Sequence, residues 1–282
     1  MSETPTPCLS VVVPAYNEEA TLAGVVKKLS ELPQLLEIVI VDDCSRDRTA
    51  EIAERLAAAD SRVRVARHSR NSGKTEALKT GFAMTRGEIV IVQDADLEYD
   101  PSEIPGVIKP ILEGHADVVY GSRFLVRKAT RVLYFYHFLA NKVLTFSSNM
   151  LTNLNMTDVE TGYKAFRGEI IRNMIIKSNG FGFEIEVTAK IAKLGCRVYE
   201  VPMSYYGRTY EEGKKIRMRD GLQAFWLVLR FNLFCGLPSS FRQIPQIGRT
   251  RPSQIIVQPP ASDNGANDSL KLAVANDSQQ AR

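Results

Sequence analysis

The chain has no apolar run long enough to cross a bilayer. Its most apolar stretch, residues 222–237, is interrupted by Gln223, Arg230 and Asn232, whereas a spanning helix needs roughly 20 mostly apolar residues. Cysteine is sparse. Cys8, Cys44, Cys196 and Cys235 form no C-x-x-C pair and no zinc-like spacing, which argues against a disulfide framework and fits a reducing compartment. The three histidines, His68, His115 and His137, build neither a triad nor a metal cluster and are read as structural or surface residues. Residues 1–7 lack the basic start and apolar stretch of a signal peptide, so a cytosolic-side protein is expected. Excess charge is also small: 36 Lys and Arg against 32 Asp and Glu leave +4, too little to call for nucleic acid as a partner.

What is present is an ordinary globular composition, 44% hydrophobic and 24% charged over 282 residues. Apolar runs at residues 9–14, 37–41, 62–67, 88–93 and 117–121 read as strands. Between them, residues 18–32, 49–59, 75–85 and 101–113 read as helices, the second capped by Asp47. This alternation implies an α/β fold with a mostly parallel sheet and helices on both faces. Ligands of such sheets bind beyond the carboxyl ends of the strands, which gathers the loops at 14–18, 42–47 and 93–96 into one crevice. Residues 1–8 and 249–282 read as disordered flanks, 9–215 as the catalytic domain and 216–248 as an amphipathic helical segment. In the last, Phe225, Trp226, Leu229, Phe231, Leu233 and Phe234, with Arg217, Arg219 and Arg230, suit either a membrane interface or packing on the domain.

Two nucleotide signatures are missing. Ser72-Gly73-Lys74-Thr75 resembles the end of a P-loop, but His68 stands where its first glycine is required. After the first strand, Pro14-Ala15-Tyr16-Asn17-Glu18 replaces the dinucleotide-binding glycine pattern. Instead, the strand Ile89-Val90-Ile91-Val92 runs through Gln93 into Asp94-Ala95-Asp96. Two carboxylates at a buried strand end are costly without a partner. They suit Mg²⁺ or Mn²⁺, because magnesium takes one or two protein carboxylates and completes its shell with substrate phosphates and water. An acidic turn is the plainer alternative for these three residues alone.

The ordered runs VVVPAYNEEATL, VDDCSRDRT, NSGKTEAL and QDADLEYDP resemble glycosyltransferase family 2 on a GT-A nucleotide-diphospho-sugar transferase fold. Gly121-Ser122-Arg123, the segment DVETGY at 158–163, FEIE at 183–186, and Val201-Pro202 leading to Arg208 and Lys214 most resemble the dolichyl- or polyprenyl-phosphate hexose synthases. The resemblance spans roughly residues 9–237. It implies that Pro14, Tyr16 and Glu18 line the nucleoside, with Val41 and Asp43 near the base. Asp94 and Asp96 would hold the metal and diphosphate with the Ala95 backbone close by, Gln93 would add a contact, and Arg123 would reach phosphate or sugar. Arg208 and Lys214 would clamp the diphosphate; Glu212-Gly213-Lys214-Lys215 departs from the family's G-x-S-K, leaving that contact to Lys214 or Lys215.

The acceptor follows from chemistry as well as resemblance. A phosphate monoester is already mostly ionised near neutrality, its second pKa being about 6, and it can attack an anomeric carbon without a protein base. Arg127, Lys128 and Arg131 stand where the related synthases receive the acceptor phosphate, and the aromatic helix at 133–144 suits a lipid chain or a core. The expected enzyme is an inverting hexosyltransferase using GDP-mannose or UDP-glucose, Mg²⁺ or Mn²⁺, and a polyprenyl or dolichyl phosphate at the cytosolic face of a membrane. Docking there would be peripheral, as a homo-oligomer or through an anchoring partner. A saccharide or small hydroxyl acceptor is the alternative; it needs a general base, for which Asp158 is the candidate. Of Glu184 and Glu186, spaced i, i+2, one is expected to face the site.

Overall fold

The computed structural model describes residues 6–125, 134–180, 182–207 and 218–247, all within one unit, Met1–Arg249. Among the described residues, seven strands form one sheet: β1 Leu9–Ala15, β2 Leu35–Asp42, β3 Val63–Arg67, β4 Ile89–Val92, β5 Val118–Ser122, β6 Lys164–Arg167 and β7 Val198–Pro202. Their spatial order is β3-β2-β1-β4-β6-β5-β7. Only β6 runs against its neighbours β4 and β5; the other pairings are parallel. Six strands therefore end at the same edge, where β6 begins, as the alternating pattern implied.

Side chains alternate across a strand, and both faces of this sheet are apolar. Val11, Val13, Ile38, Ile40 and Ile91 pack under α1 (Leu22–Ser30) and α4 (Ile104–Leu112). Val12, Val90, Val92 and Phe166 pack with α3 (Lys74–Met84), α6 (Gly168–Asn173), α7 (Phe183–Leu194) and α8 (Met218–Leu233). The remaining helices are α2 (Thr49–Ala59) and α5 (Phe135–Thr152). In α1, buried Leu22, Val25, Val26 and Leu29 form one stripe, with Lys27 and Lys28 in its last turn.

Several boundaries differ from expectation for identifiable reasons. α1 starts at Leu22 rather than 18, because Asn17 takes a positive φ of 55° and the backbone N–H groups of Asn17, Glu18 and Glu19 donate to Ser45, Thr49 and Asp47 side chains. Asp47 does support the start of α2, accepting the Thr49 N–H and hydroxyl at 3.0 and 2.6 Å. The 101–113 helix begins as a 3₁₀ turn over Pro101–Glu103 before α4. α5 runs on to Thr152 because Leu144, Thr145 and Ser148 are buried, and it closes on left-handed Asn153.

α8 packs on the domain with one face and leaves aromatic residues exposed on the other. Ala224, Leu227, Val228 and Phe231 are buried against the domain, where α8 packs on α7 and α5, while Phe225, Trp226, Leu233 and Phe234 are exposed. The expected disordered tail lies outside the described residues.

α3 reaches the sheet closely at Gly81. A Cβ there would overlap Val12 Cγ1 and lie 3.4 Å from Val41 Cγ2. Val12 is pinned between two neighbouring strands and has no room to retreat. Overpacking of this kind costs about 1–3 kcal/mol, more than the few tenths that a better helix former returns. Gly81→Val should therefore destabilise the protein by ~2 kcal/mol, read as a lowered urea midpoint with an unchanged slope.

Candidate functional site

The shared edge of the sheet collects every loop that the sequence singled out. The Asp43 N–H donates to Ala15 O at 2.9 Å, and the Arg46 N–H to Asn17 Oδ1 at 2.9 Å, so the loops after β1 and β2 are stitched side by side. Pro14 and Tyr16 are half-buried on this seam, and Glu18 Oε2 accepts the Thr21 hydroxyl at 3.0 Å. Val41 is wholly buried and packs with Ala77, which takes its side chain out of direct reach of a ligand. Asp43 is buried as well. Its carboxylate contacts His68 Nδ1 at 2.7 Å and accepts the Ser72 and Gly73 N–H groups at 3.0 and 2.7 Å. It thus organises the turn before α3, where Gly73 takes φ 90° and Thr75 Oγ1 donates to Gly180 O at 2.7 Å.

That turn presents Lys74 to the D-A-D loop. Lys74 Nζ lies 2.7 Å from Asp94 Oδ1 and 2.9 Å from Oδ2, with Glu184 Oε1 at 4.0 Å. Burial would weaken the proton affinity of this ammonium, but Asp94 and then Glu184 outweigh it and hold its pKa raised. Gly162 leaves room for the pair: a Cβ there would lie 2.8 Å from Asp94 Oδ2. Asp96 Oδ1 accepts the Glu98 N–H at 3.1 Å, while Ala95 is buried beneath. Gln93, expected to add a contact, faces inward. It is fully buried, its amide donating to Asp94 O and Tyr99 O and accepting the Tyr163 hydroxyl at 2.9 Å. Glu98 Oε2 accepts the Tyr205 hydroxyl at 2.9 Å and Glu98 O the Tyr206 N–H at 2.9 Å, joining this loop to the one after β7.

Arg123, just beyond β5, forms a bidentate pair with Asp158, Nε to Oδ2 and Nη2 to Oδ1 both 2.7 Å, and its guanidinium lies over Tyr205. Burial would raise the Asp158 pKa, but Arg123 overrides it and holds the carboxyl below its usual range. Both groups are therefore committed to each other. Arg123, expected to reach phosphate or sugar, here faces Asp158, and Asp158 is a weak base.

Glu160, two residues on, is the opposite case. Its Oε1 is buried without a hydrogen-bond partner, and burial, followed by the charge of Glu184, pushes its pKa up to about 7. As expected of the i, i+2 pair, only Glu184 faces this cluster; Glu186 pairs with Lys190 and accepts the Lys177 and Ser178 N–H groups.

His68 is structural, as expected, and His115 is an exposed neighbour of Glu113. Arg127, Lys128, Arg131, Arg208, Lys214 and Lys215 lie outside the described residues. Sequence reasoning missed Lys74, Tyr99, Glu98 and Glu160. Lys74 was legible: it follows a parallel strand and so must start its helix at the site edge. Nothing in a sequence separates Glu160 from Asp158 two residues away.

A carboxyl with a raised pKa binds its proton more tightly in the folded state, so it costs nothing below its ordinary value of 4.5 and costs increasingly as pH rises through about 7. Glu160→Gln removes that cost. It should melt higher than the parent at pH 8 by at least about 2–4 °C, the shift that ~1 kcal/mol produces in a chain of this size, and with the parent at pH 4.

Residues 10–175 match the pattern described as Glycosyl transferase family 2. Undecaprenyl-phosphate mannosyltransferase of Micrococcus luteus is 30% identical over 247 residues, 79% of this chain and 97% of that relative. Polyprenol monophosphomannose synthase of Mycolicibacterium smegmatis is 30% identical over 211 residues, 72% and 79% of the two chains. Glucosyl-3-phosphoglycerate synthase from Mycobacterium tuberculosis, crystallised with uridine diphosphate, superposes with a TM-score of 0.62 at 24% identity over 82% of this chain and 81% of its own. Other crystals of that synthase also hold Mn²⁺ or Mg²⁺. At that identity the likeness concerns the fold, which is GT-A. By sequence pattern, relatives and architecture together, this chain belongs to glycosyltransferase family 2.

Proposed function

We propose that this chain transfers a hexose from a nucleotide sugar to a polyprenyl or dolichyl phosphate, with inversion, by a single in-line displacement. The observation that carries the reading is the pair Asp94 and Asp96 on one loop at the ligand edge of the sheet. Among the described residues no group of three or more His, Cys, Asp or Glu side chains could hold a metal. Two carboxylates fit Mg²⁺ or Mn²⁺, whose remaining positions go to phosphate and water. Such a cation, when bound, neutralises the diphosphate as it departs. On this reading Pro14, Tyr16 and Glu18 line the nucleoside, Asp43 shapes its floor through the 72–73 turn, and Arg208 with Lys214 or Lys215 clamps the diphosphate.

The choice of a phosphate acceptor is supported by the state of Asp158. Locked to Arg123 and more acidic than usual, it is ill-suited to take a proton from an alcohol, whereas an ionised phosphate needs no base. Arg127, Lys128 and Arg131 are the proposed cations for it. The lipid reading is supported by α5, which exposes Phe135, Tyr136, Leu139, Val143, Phe146 and Met150 along one side. No helix among the described residues is long and apolar enough to cross a membrane. Contact with the cytosolic face would then be peripheral, through α5 and the outer face of α8, or through an oligomer or anchoring partner. The names of the two mannosyl relatives favour GDP-mannose over UDP-glucose as donor. A second reading, transfer to a hydroxyl, draws on Glu160, whose proton affinity lies in the range a general base requires.

Radiolabelled donors supplied with Mn²⁺ and polyprenyl phosphate should put label into organic-extractable lipid. EDTA should abolish it, and Asp94→Ala or Asp96→Ala should lower it about a hundredfold or more, the scale of losing one preorganised electrostatic stabiliser. Glu160→Gln should leave it largely intact. Donor consumption with no lipid product, lost in Glu160→Gln, would replace the lipid acceptor with a hydroxyl.

A further inference from the structure

Lys74 covers the carboxylate that a cation at Asp94 would use. Its ammonium sits against both Asp94 oxygens, at 2.7 and 2.9 Å, so neither can be given to a divalent cation at full strength while the contact lasts. The backbone that carries it is fixed on two sides, by Asp43 holding the Ser72 and Gly73 N–H groups and by Thr75 bonded to Gly180. The side chain is not: four methylenes separate the ammonium from that anchor, and a second carboxylate, Glu184, waits at 4.0 Å on the first turn of α7. Glu184 lies between Glu160, whose proton affinity it raises, and the buried ammonium of Lys164, so it stays in electrostatic reach of the cluster as a second partner for Lys74.

We propose that Lys74 is a built-in counter-cation of the Asp94 site, and that divalent-cation binding drives its ammonium from Asp94 onto Glu184. The inference rests on Asp94 and Asp96 being the cation site. Lys74 then sets the affinity for the bare metal: it neutralises Asp94 while the site is vacant and opposes metal arriving alone. The diphosphate of a nucleotide sugar, bringing its own negative charge, shifts the balance toward the loaded state. Sequential loading follows, with metal held tightly only in company with the donor.

The test is Mn²⁺ binding, measured without nucleotide by the electron paramagnetic resonance signal of the unbound ion, at one pH and on the whole chain. One adjacent cation changes a carboxylate's affinity for a proton by about ten- to a thousandfold. Lys74→Met and Lys74→Gln should accordingly tighten Mn²⁺ by about tenfold or more. Lys79→Met, on the same helix but paired with Glu76 at 2.6 Å, should not. Glu184→Gln should weaken Mn²⁺ in the parent, where it removes the alternative partner, and weaken it less in the Lys74→Met background. If neither Lys74 variant tightens binding, or if Lys79→Met tightens it equally, the inference is overturned while the cation site stands. If Mn²⁺ binding survives Asp94→Asn and Asp96→Asn unchanged, the site reading fails first and the inference with it.

Discussion

Carboxylates at the ends of buried strands can be carried only if each is matched, because an unpaired charge removed from water is far more costly than any single contact here returns. Each has its own set of partners. Asp43 takes two backbone N–H groups and His68, Asp94 takes Lys74, and Asp158 takes Arg123. At the opposite edge Glu37, equally buried, is met by Ser10, Arg64 and Arg86. The pairs do different work. Those of Glu37 and Asp158 are closed and bidentate or multiply bonded, and they fix backbone. That of Asp94 involves one flexible ammonium with a second acid in reach, and it is the pair open to exchange.

Beneath the D-A-D loop lies a rigid floor. Tyr99 and Tyr163 stack with centroids 5.2 Å apart and planes 4° from parallel. The Tyr99 hydroxyl accepts the Gly162 N–H, and the Tyr163 hydroxyl reaches Gln93. The loop carrying Asp94 and Asp96 and the loop carrying Asp158 and Glu160 are thereby tied through aromatic rings rather than through their charged groups. The acids can respond to a ligand without the floor having to move.

Most of the fold was legible from periodicity, since strands and helices alternate cleanly through the first 120 or so residues. The second half was not. β6 and β7 are short, mix charged with apolar residues, and earn their place in the sheet only by pairing with β4 and β5. Within the site, residue types and their loop were readable, because the carboxyl-edge rule needs only strand direction. Side-chain partners were not. Whether Gln93 faces ligand or floor, whether Arg123 meets a phosphate or Asp158, and which acid lacks a partner are decided by contacts across 35 to 70 residues of chain.

The reversed strand β6 has a consequence for how this architecture can vary. Its amino end delivers the loop with Asp158 and Glu160 to the ligand edge, and its carboxyl end opens into α6 on the far side, where Gly168 N–H and Arg172 bond to Glu88 O and Gly87 O. A change of length between Arg167 and Asn173 would disturb tightly packed Gly168 and the buried Ile170 and Ile171, at a distance from the chemistry, while the same change a dozen residues earlier would shift two acids at once. One strand thus separates two kinds of failure: a change after β6 strikes the core through Ile170 and Ile171, and a change before it strikes the acids of the ligand edge.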